Sequence, residues 1–370
     1  MIPAYVDALC REVDFVGSRF EGKVHTIFFG GGTPSLLTPR QFELIFESIR
    51  RNFSLTEDAE ITIEANPGTV SFADLRELHS LGLNRISFGV QSANPNELRM
   101  LERAHNFFDV IDAVKSARKA GFNNLNLDLI YGLPEQTLQS WQITVRRILD
   151  LHPEHISAYA LTLEHGTPFG RWAIKGLMPI PDPDLAAEMY EWLSETLEAN
   201  SYIQYEISNW AKNKLSNLTH YPLFPAFACR HNLQYWRSLP YIAFGAGAHG
   251  YATGHRYSNV LRIKTYIDRL SSIDSRISQA EFPHSPATVN LHKQSDQDDL
   301  SDYMINNLRL VQAGIADADF ISRFGRGLSD VYPAELKELV NLGLLEWNAD
   351  SIRLTRRGRL LGNQVFMRFV

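Results

Sequence analysis

The first third of the chain repeats one phrase: a short apolar run, then polar or glycine residues, then a helix with one apolar face. The runs are 24–29 (VHTIFF), 61–64 (ITIE), 85–90 (RISFGV), 125–131 (LNLDLIY) and 155–161 (HISAYAL). Nearly continuous apolar runs of this length predict buried parallel strands. The helices between them carry start and stop signals. Thr38 caps, Pro39 takes the first helical position, Gln41 completes a capping box, and Phe42, Ile45, Phe46 and Ile49 then share a face. A helix from Phe72 with Leu75, Leu78 and Leu81 stops at Gly82. Another, with Ile111, Val114 and Ala117, stops at Gly121, where glycine supplies a left-handed cap. Strand–helix repeats of this kind imply right-handed parallel units, and so a doubly wound sheet or a (β/α) barrel. A helix over 4–16, with Val6, Leu9, Cys10 and Val13 on one face, has no strand before it. The chain is therefore expected to begin inside a repeat whose first strand is missing.

From about 162 to 269 the rhythm changes. Turns rich in proline (Pro179, Pro181, Pro183) precede a long helix over 185–199, and an aromatic, histidine-bearing segment runs to Tyr257. Residues 272–298 are polar, with Pro283 and Pro286, and read as a linker or exposed loop. The last stretch reads as a small domain with a winged end: a helix over 333–342, Gly343 as its cap, and a hairpin of 345–347 with 352–354 across Asn348, Ala349 and Asp350. Glu335, Lys337 and Glu338 nearly cancel on that helix, so a packing or protein-contact role is expected there rather than DNA binding. The organisation expected is 1–165, 166–271, a linker over 272–298, and 299–370.

Composition narrows the classes. Of 370 residues, 44% are hydrophobic and 21% charged, which excludes a disordered chain. A net charge of −6 gives no support to a general nucleic-acid binder or a basic membrane-surface protein. No uncharged apolar stretch approaches the ~20 residues that span a bilayer, and a cytoplasmic protein is expected. The only cysteines are Cys10 and Cys229, too few for a thiolate cluster, which takes three or four.

Three groups of residues carry chemistry. Gly30, Gly31, Gly32, Thr33, Pro34 and Ser35 directly follow a predicted strand. Glycines there let backbone amides approach a charged group and Thr33 adds a hydroxyl, although a tight strand-to-helix turn would ask for the same residues. The lysine of a P-loop is absent, so a nucleotide phosphate is not favoured. Glu64, Gln91 and Asp128 end otherwise apolar strands, and in a parallel barrel such ends share the rim where ligands bind. A carboxylate there can accept from a ribose hydroxyl or an ammonium group, or merely cap the next turn, while Arg103 can pair with a carboxylate. The third group is CRHNLQYW, residues 229–236, followed by FGAGAHGY, residues 244–251. Imidazole or thiolate can ligate haem iron, and flanking Tyr and Trp can line a flat macrocycle. Either His231 or Cys229 fits as axial ligand, with His249 a weaker third.

Taken together, GGGTPS, IEANP, SFGVQS and DLIYGLPEQT resemble the radical S-adenosylmethionine (SAM) proteins of the oxygen-independent coproporphyrinogen III oxidase (HemN) group. HNLQYW, residues 231–236, resembles the HNxxYW motif of its HemW branch, the haem chaperones, and FGAGAHGY and LRLVQAGI fit that branch too. The resemblance runs from end to end. It implies an α/β fold: a partial (β/α)6 radical SAM barrel missing its first strand, then a smaller α+β C-terminal domain with a winged-helix-like end. It implies that Gly31, Gly32, Thr33, Glu64, Gln91, Arg103 and Asp128 hold S-adenosylmethionine, and that His231, Asn232, Tyr235 and Trp236 bind haem. The function implied is a haem chaperone that passes haem to an acceptor protein, with no nucleic acid and only peripheral membrane contact, through the acceptor. The alternative is a coproporphyrinogen III oxidase-like radical enzyme of porphyrin biosynthesis; no catalytic residue is assigned. The family's CxxxCxxC loop, which binds a [4Fe–4S] cluster, has no match in this chain. Either that loop and the first strand precede Met1, or the cluster has been lost in a haem-binding descendant.

Overall fold

The structure is a computed structural model that describes the chain except residues 164–169, 172–174, 177–179, 214–222, 272–280 and 349. Pro179, Ala349 and the first part of the expected linker lie outside the described residues.

Helix α1 (Ile2–Gly17) leads into β1 (Lys23–Phe29), and four strand–helix repeats follow. They comprise α2 (Pro39–Asn52), β2 (Ser54–Ala65), α3 (Phe72–Ser80), β3 (Arg85–Gln91), α4 (Pro95–Met100), α5 (Phe107–Ala120), β4 (Leu125–Tyr131), α6 (Leu138–Leu149) and β5 (His155–Ala160). The punctuation acts as expected: Thr38 and Gln41 form a full capping box, and Gly121 takes φ 110° as the left-handed cap of α5. Strands β1 to β5 are parallel, and the sheet curls into a partial barrel in the order β1-β2-β3-β4-β5-β7-β6. Its far edge, β6 (Tyr202–Glu206) and β7 (Asn209–Lys212), is an antiparallel hairpin that the changed rhythm of that region concealed.

The strands are not continuously apolar; they alternate. Ile61, Ile63, Ile86, Phe88, Val90, Leu125, Leu127, Leu129 and Ile156 point outward and pack under the helices against Phe42, Phe46, Leu75, Val110, Trp141 and Val145. The intervening positions turn inward and are mostly polar, with Phe28 and Ile130 among them. Register aligns them across the sheet: Thr62 opposite Arg85, Glu64 opposite Ser87, Ser87 opposite Asn126, Asn126 opposite His155, and Asp128 opposite Ser157. A period of two on a parallel strand means both faces are covered, one by hydrocarbon and one by a polar interior.

A second sheet holds β8 (His249–Ala252), β9 (His255–Asn259) and β10 (Thr288–Lys293), all antiparallel. Strand β10 lies inside the stretch expected to be a linker. It is an exposed edge strand, so its polar residues look like loop in the sequence. Buried Glu12 of α1 ties this sheet to the barrel by accepting from Ser285 Oγ (2.6 Å), Tyr266 Oη (2.6 Å), Asn259 Nδ2 (2.8 Å) and the Gly245 amide (2.9 Å). The C-terminal part is α+β, with a wing formed by β11 (Ile315–Ala316), β13 (Ser351–Leu354) and β12 (Leu345–Asn348) over the helix Pro333–Asn341. It docks on the barrel through Arg309 and Glu206 (3.1 Å) and through Arg359 and Gln204 (2.9 Å). Among the described residues no helix is long and apolar enough to cross a membrane.

Candidate functional site

The polar rows enclose a cavity of about 470 Å³ whose walls include Phe28, Glu64, Arg85, Gln91, Asp128 and Asn232. The glycine loop meets this cavity at Glu64. Gly31 and Gly32 hold φ 78° and 61°, in the left-handed region, and a Cβ on either would meet nothing. Backbone conformation rather than crowding calls for glycine at these two positions. Gly30 differs: a Cβ there would stand 2.4 Å from the Phe28 ring and 3.1 Å from Glu64 Oε2. The Gly31 amide donates to Glu64 Oε2 at 3.1 Å. Burial pushes the Glu64 carboxyl above its usual range and the Asp128 charge adds to this, while the Gly31 amide and Arg85 pull it back. Asp128 accepts from Ser87 Oγ and Asn126 Nδ2, both at 2.7 Å.

Below them a chain of hydrogen bonds crosses the floor. His155 Nδ1 donates to Asn126 Oδ1 at 2.6 Å, Ser157 Oγ donates to the same oxygen at 3.1 Å, and His155 Nε2 accepts from Tyr205 Oη at 2.8 Å. Burial, reinforced by the Arg85 charge, holds the His155 imidazole well below its usual pKa. Arg85 itself is 2% exposed, and its Nε has no partner.

The HNLQYW segment is a short helix, Arg230–Trp236, laid against β1. Its N-terminus is capped from a distance: Glu60 of β2 accepts the amides of Arg230 and His231, each at 3.1 Å. His231 stacks on Phe28 with centroids 5.0 Å apart and planes 14° from parallel. Both of its ring nitrogens are engaged, Nδ1 with Thr26 Oγ1 at 3.0 Å and Nε2 with Tyr235 Oη at 2.8 Å. Burial first, then the charges of Arg85 and His25, pushes its pKa down to about 4, so the ring is neutral near pH 7. Asn232 faces the cavity, whereas Trp236 turns away, its ring under the Arg309 guanidinium at 4.3 Å. Cys229 is fully buried, and burial pushes its thiol up to about 12; Sγ donates to Glu60 Oε1 at 3.5 Å.

Of the sequence-derived residues, Glu64, Gln91, Asp128 and Asn232 share the cavity and Gly31 is bonded to its wall. Gly32 and Thr33 continue the loop. Arg103 follows α4 outside the lining, its Nε buried and unpartnered. His231 and Tyr235 face each other, and Trp236 belongs to the contact with the C-terminal part. FGAGAHGY is largely architectural: Gly245 serves Glu12, Gly250 leaves room for the Tyr257 ring (2.2 Å from a would-be Cβ), and His249 is exposed. Sequence reasoning missed Arg85, Glu60, Asn126 and His155. The signal was present in the alternation of Arg85, Ser87 and Gln91 with Ile86, Phe88 and Val90.

Comparison with known proteins completes the picture. Residues 6–148 match the Radical SAM superfamily and residues 294–361 the HemN C-terminal domain. Heme chaperone HemW of Bacillus subtilis is 35% identical over 371 residues, spanning 100% of this chain and 92% of the relative. Heme chaperone HemW of Escherichia coli is 34% identical, spanning 99% and 89%. Among solved structures, coproporphyrinogen III oxidase (HemN) from Escherichia coli, a radical SAM enzyme, superposes with a TM-score of 0.80 at 24% identity. That likeness, covering 99% of this chain and 82% of the other, is one of fold.

Proposed function

The chain belongs to the HemW heme chaperones of the radical SAM superfamily, and from that premise we propose that it binds haem and passes it to an acceptor protein. The observation that carries this reading is the full-length similarity to HemW together with an HNLQYW helix seated beside the barrel cavity. Haem supplies an iron centre and a flat macrocycle. His231 suits the iron because its imidazole is neutral near pH 7 and need lose no proton. Ligation through Nε2 would displace the Tyr235 hydroxyl, a hydrogen bond of about 1 kcal/mol. Phe28 and Tyr235 offer ring faces for the macrocycle, and Asn232 a polar edge on the cavity. Trp236 acts one step away, holding the C-terminal part against the helix. Cys229 suits iron poorly, since its thiol is buried, protonated and bonded to Glu60.

The cavity suits S-adenosylmethionine: Glu64, Gln91 and Asp128 line it and would hold polar groups of the ligand, Gly31, Gly32 and Thr33 stand on the adjoining loop that bonds to Glu64, and Arg103 lies outside the lining. The [4Fe–4S] cluster that the superfamily implies does not fit this chain. Its two cysteines lie on α1 and at the Arg230–Trp236 helix, and among the described residues no group of three or more His, Cys, Asp or Glu is placed to hold a metal. We therefore derive no radical step and do not propose coproporphyrinogen oxidation. A cytoplasmic site of action, with membrane contact only through the acceptor, completes the reading. Titrating ferric haem and following the Soret band tests the ligand. His231→Ala is expected to abolish or shift the band and Cys229→Ser to leave it; the reverse outcome would overturn the assignment.

A further inference from the structure

Arg85 opens β3 and turns into the barrel, where it is 2% exposed and lines the cavity. Its Nε has no partner, and the guanidinium makes no hydrogen bond or ion pair with any described residue. A guanidinium carries five N–H donors in a planar fork, and burying such a cation without partners costs several kcal/mol. The carboxylates whose charges favour it are occupied elsewhere. Glu60 accepts the Arg230 and His231 amides and the Cys229 thiol, and Asp128 accepts from Ser87 and Asn126. Those charges keep Arg85 protonated, but they leave its fork empty and facing the cavity. The same cavity carries Glu64 and Asp128, on the strands either side of β3, so its lining holds both acidic and basic groups.

We propose that Arg85 is a seat for a carboxylate, and that the ligand of this cavity enters with a carboxylate against the Arg85 fork. The proposal rests on the ligand reading above, in which two molecules carry the required group: haem through its propionates, and S-adenosylmethionine through its amino-acid end. A fork-to-carboxylate pair is bidentate, which fixes orientation as well as adding affinity. A cavity of about 470 Å³ lies within the size range of small-molecule sites. A ligand bearing cationic and anionic groups would place the first near Glu64 and the second at Arg85.

The test compares each molecule with a partner that lacks the free carboxylate, using the full chain. The pairs are ferric haem with its dimethyl ester, and S-adenosylmethionine with its decarboxylated form. In one pair the wild-type chain is expected to prefer the carboxylate form at least about tenfold, Arg85→Met to lose that preference, and Arg85→Lys to keep part of it. The pair showing this identifies the ligand. If Arg85→Met does not fold, Arg85→Lys, which keeps the charge without the fork, must still lower the preference. No preference in either pair, or one undiminished by substitution, overturns the inference. Tight haem binding with neither pair sensitive to Arg85 overturns it while leaving the chaperone reading in place. Arg85-dependent binding of S-adenosylmethionine by a chain that takes up no haem supports the inference and overturns the chaperone reading instead.

Discussion

His231 shows how a single residue holds two demands at once. Packed on Phe28 and bonded through both nitrogens, it is an integral part of the β1 edge as well as the proposed iron ligand. Its pKa, pushed down to about 4 by burial, makes stability depend on pH with a definite sign. Between about pH 6.5 and 4 the unfolded chain protonates this histidine and the folded chain does not. The unfolded state therefore binds more protons, and stability rises with pH across that window and is lost as pH falls. The lost stability is about 3 kcal/mol on this account alone, and His155, shifted the same way, adds to it. His231→Phe keeps a ring against Phe28 and removes the proton site. Urea unfolding at pH 7 and pH 4.5 should show a smaller drop for the variant than for wild type; equal drops would mean that His231 is not buried neutral.

At the scale of elements, the two kinds of glycine in one loop separate crowding from conformation. Gly30→Ala drives a methyl into the Phe28 ring and toward Glu64, and Phe28 is the surface on which His231 stacks. Overpacking of this sort costs ~1–3 kcal/mol. Gly31→Ala strains a left-handed residue by ~1 kcal/mol but touches nothing. Both variants should unfold at lower urea, yet only Gly30→Ala should also weaken haem uptake. Equal weakening by both would disconnect Phe28 from the haem site. Helix caps and strand positions were legible because they depend on local signals: Thr38 with Gln41, and Gly121 after α5. The polar interior was harder to see, because Arg85 and Asn126 sit in runs that read as apolar when averaged rather than sorted by parity. Strand β10 was masked by its exposure, and the β6–β7 hairpin by a pairing across the sheet that no local period encodes.

For the whole molecule, the resemblance in seven short motifs anticipated the barrel and the C-terminal α+β part, and the fold agrees along the chain. The motifs could not reveal that HNLQYW is split three ways: Asn232 to the cavity, His231 to β1 with Tyr235 bonded to it, Trp236 to Arg309. That division is tertiary. Metal chemistry belongs to this scale too. Cys10, half-buried and pushed to about 11, and Cys229, pushed to about 12, are both protonated thiols near pH 7. Anaerobic reconstitution of this chain with iron and sulfide should give no stoichiometric cluster, and incubation with S-adenosylmethionine and a reductant no 5′-deoxyadenosine. A stoichiometric cluster with that product would refute the assignment of these thiols.

The central claim, that this HemW-family chain takes haem on the imidazole of His231, is tested most directly by chemical rescue. Ferric haem is added to the folded wild-type chain and to His231→Gly, with and without free imidazole, and the Soret band and electron paramagnetic resonance spectrum are recorded. The expected result is a nitrogen-ligated spectrum for wild type, its loss in His231→Gly, and its return when imidazole fills the space left by the side chain. A His231→Gly spectrum identical to wild type without imidazole, or a thiolate signature in both, would contradict it.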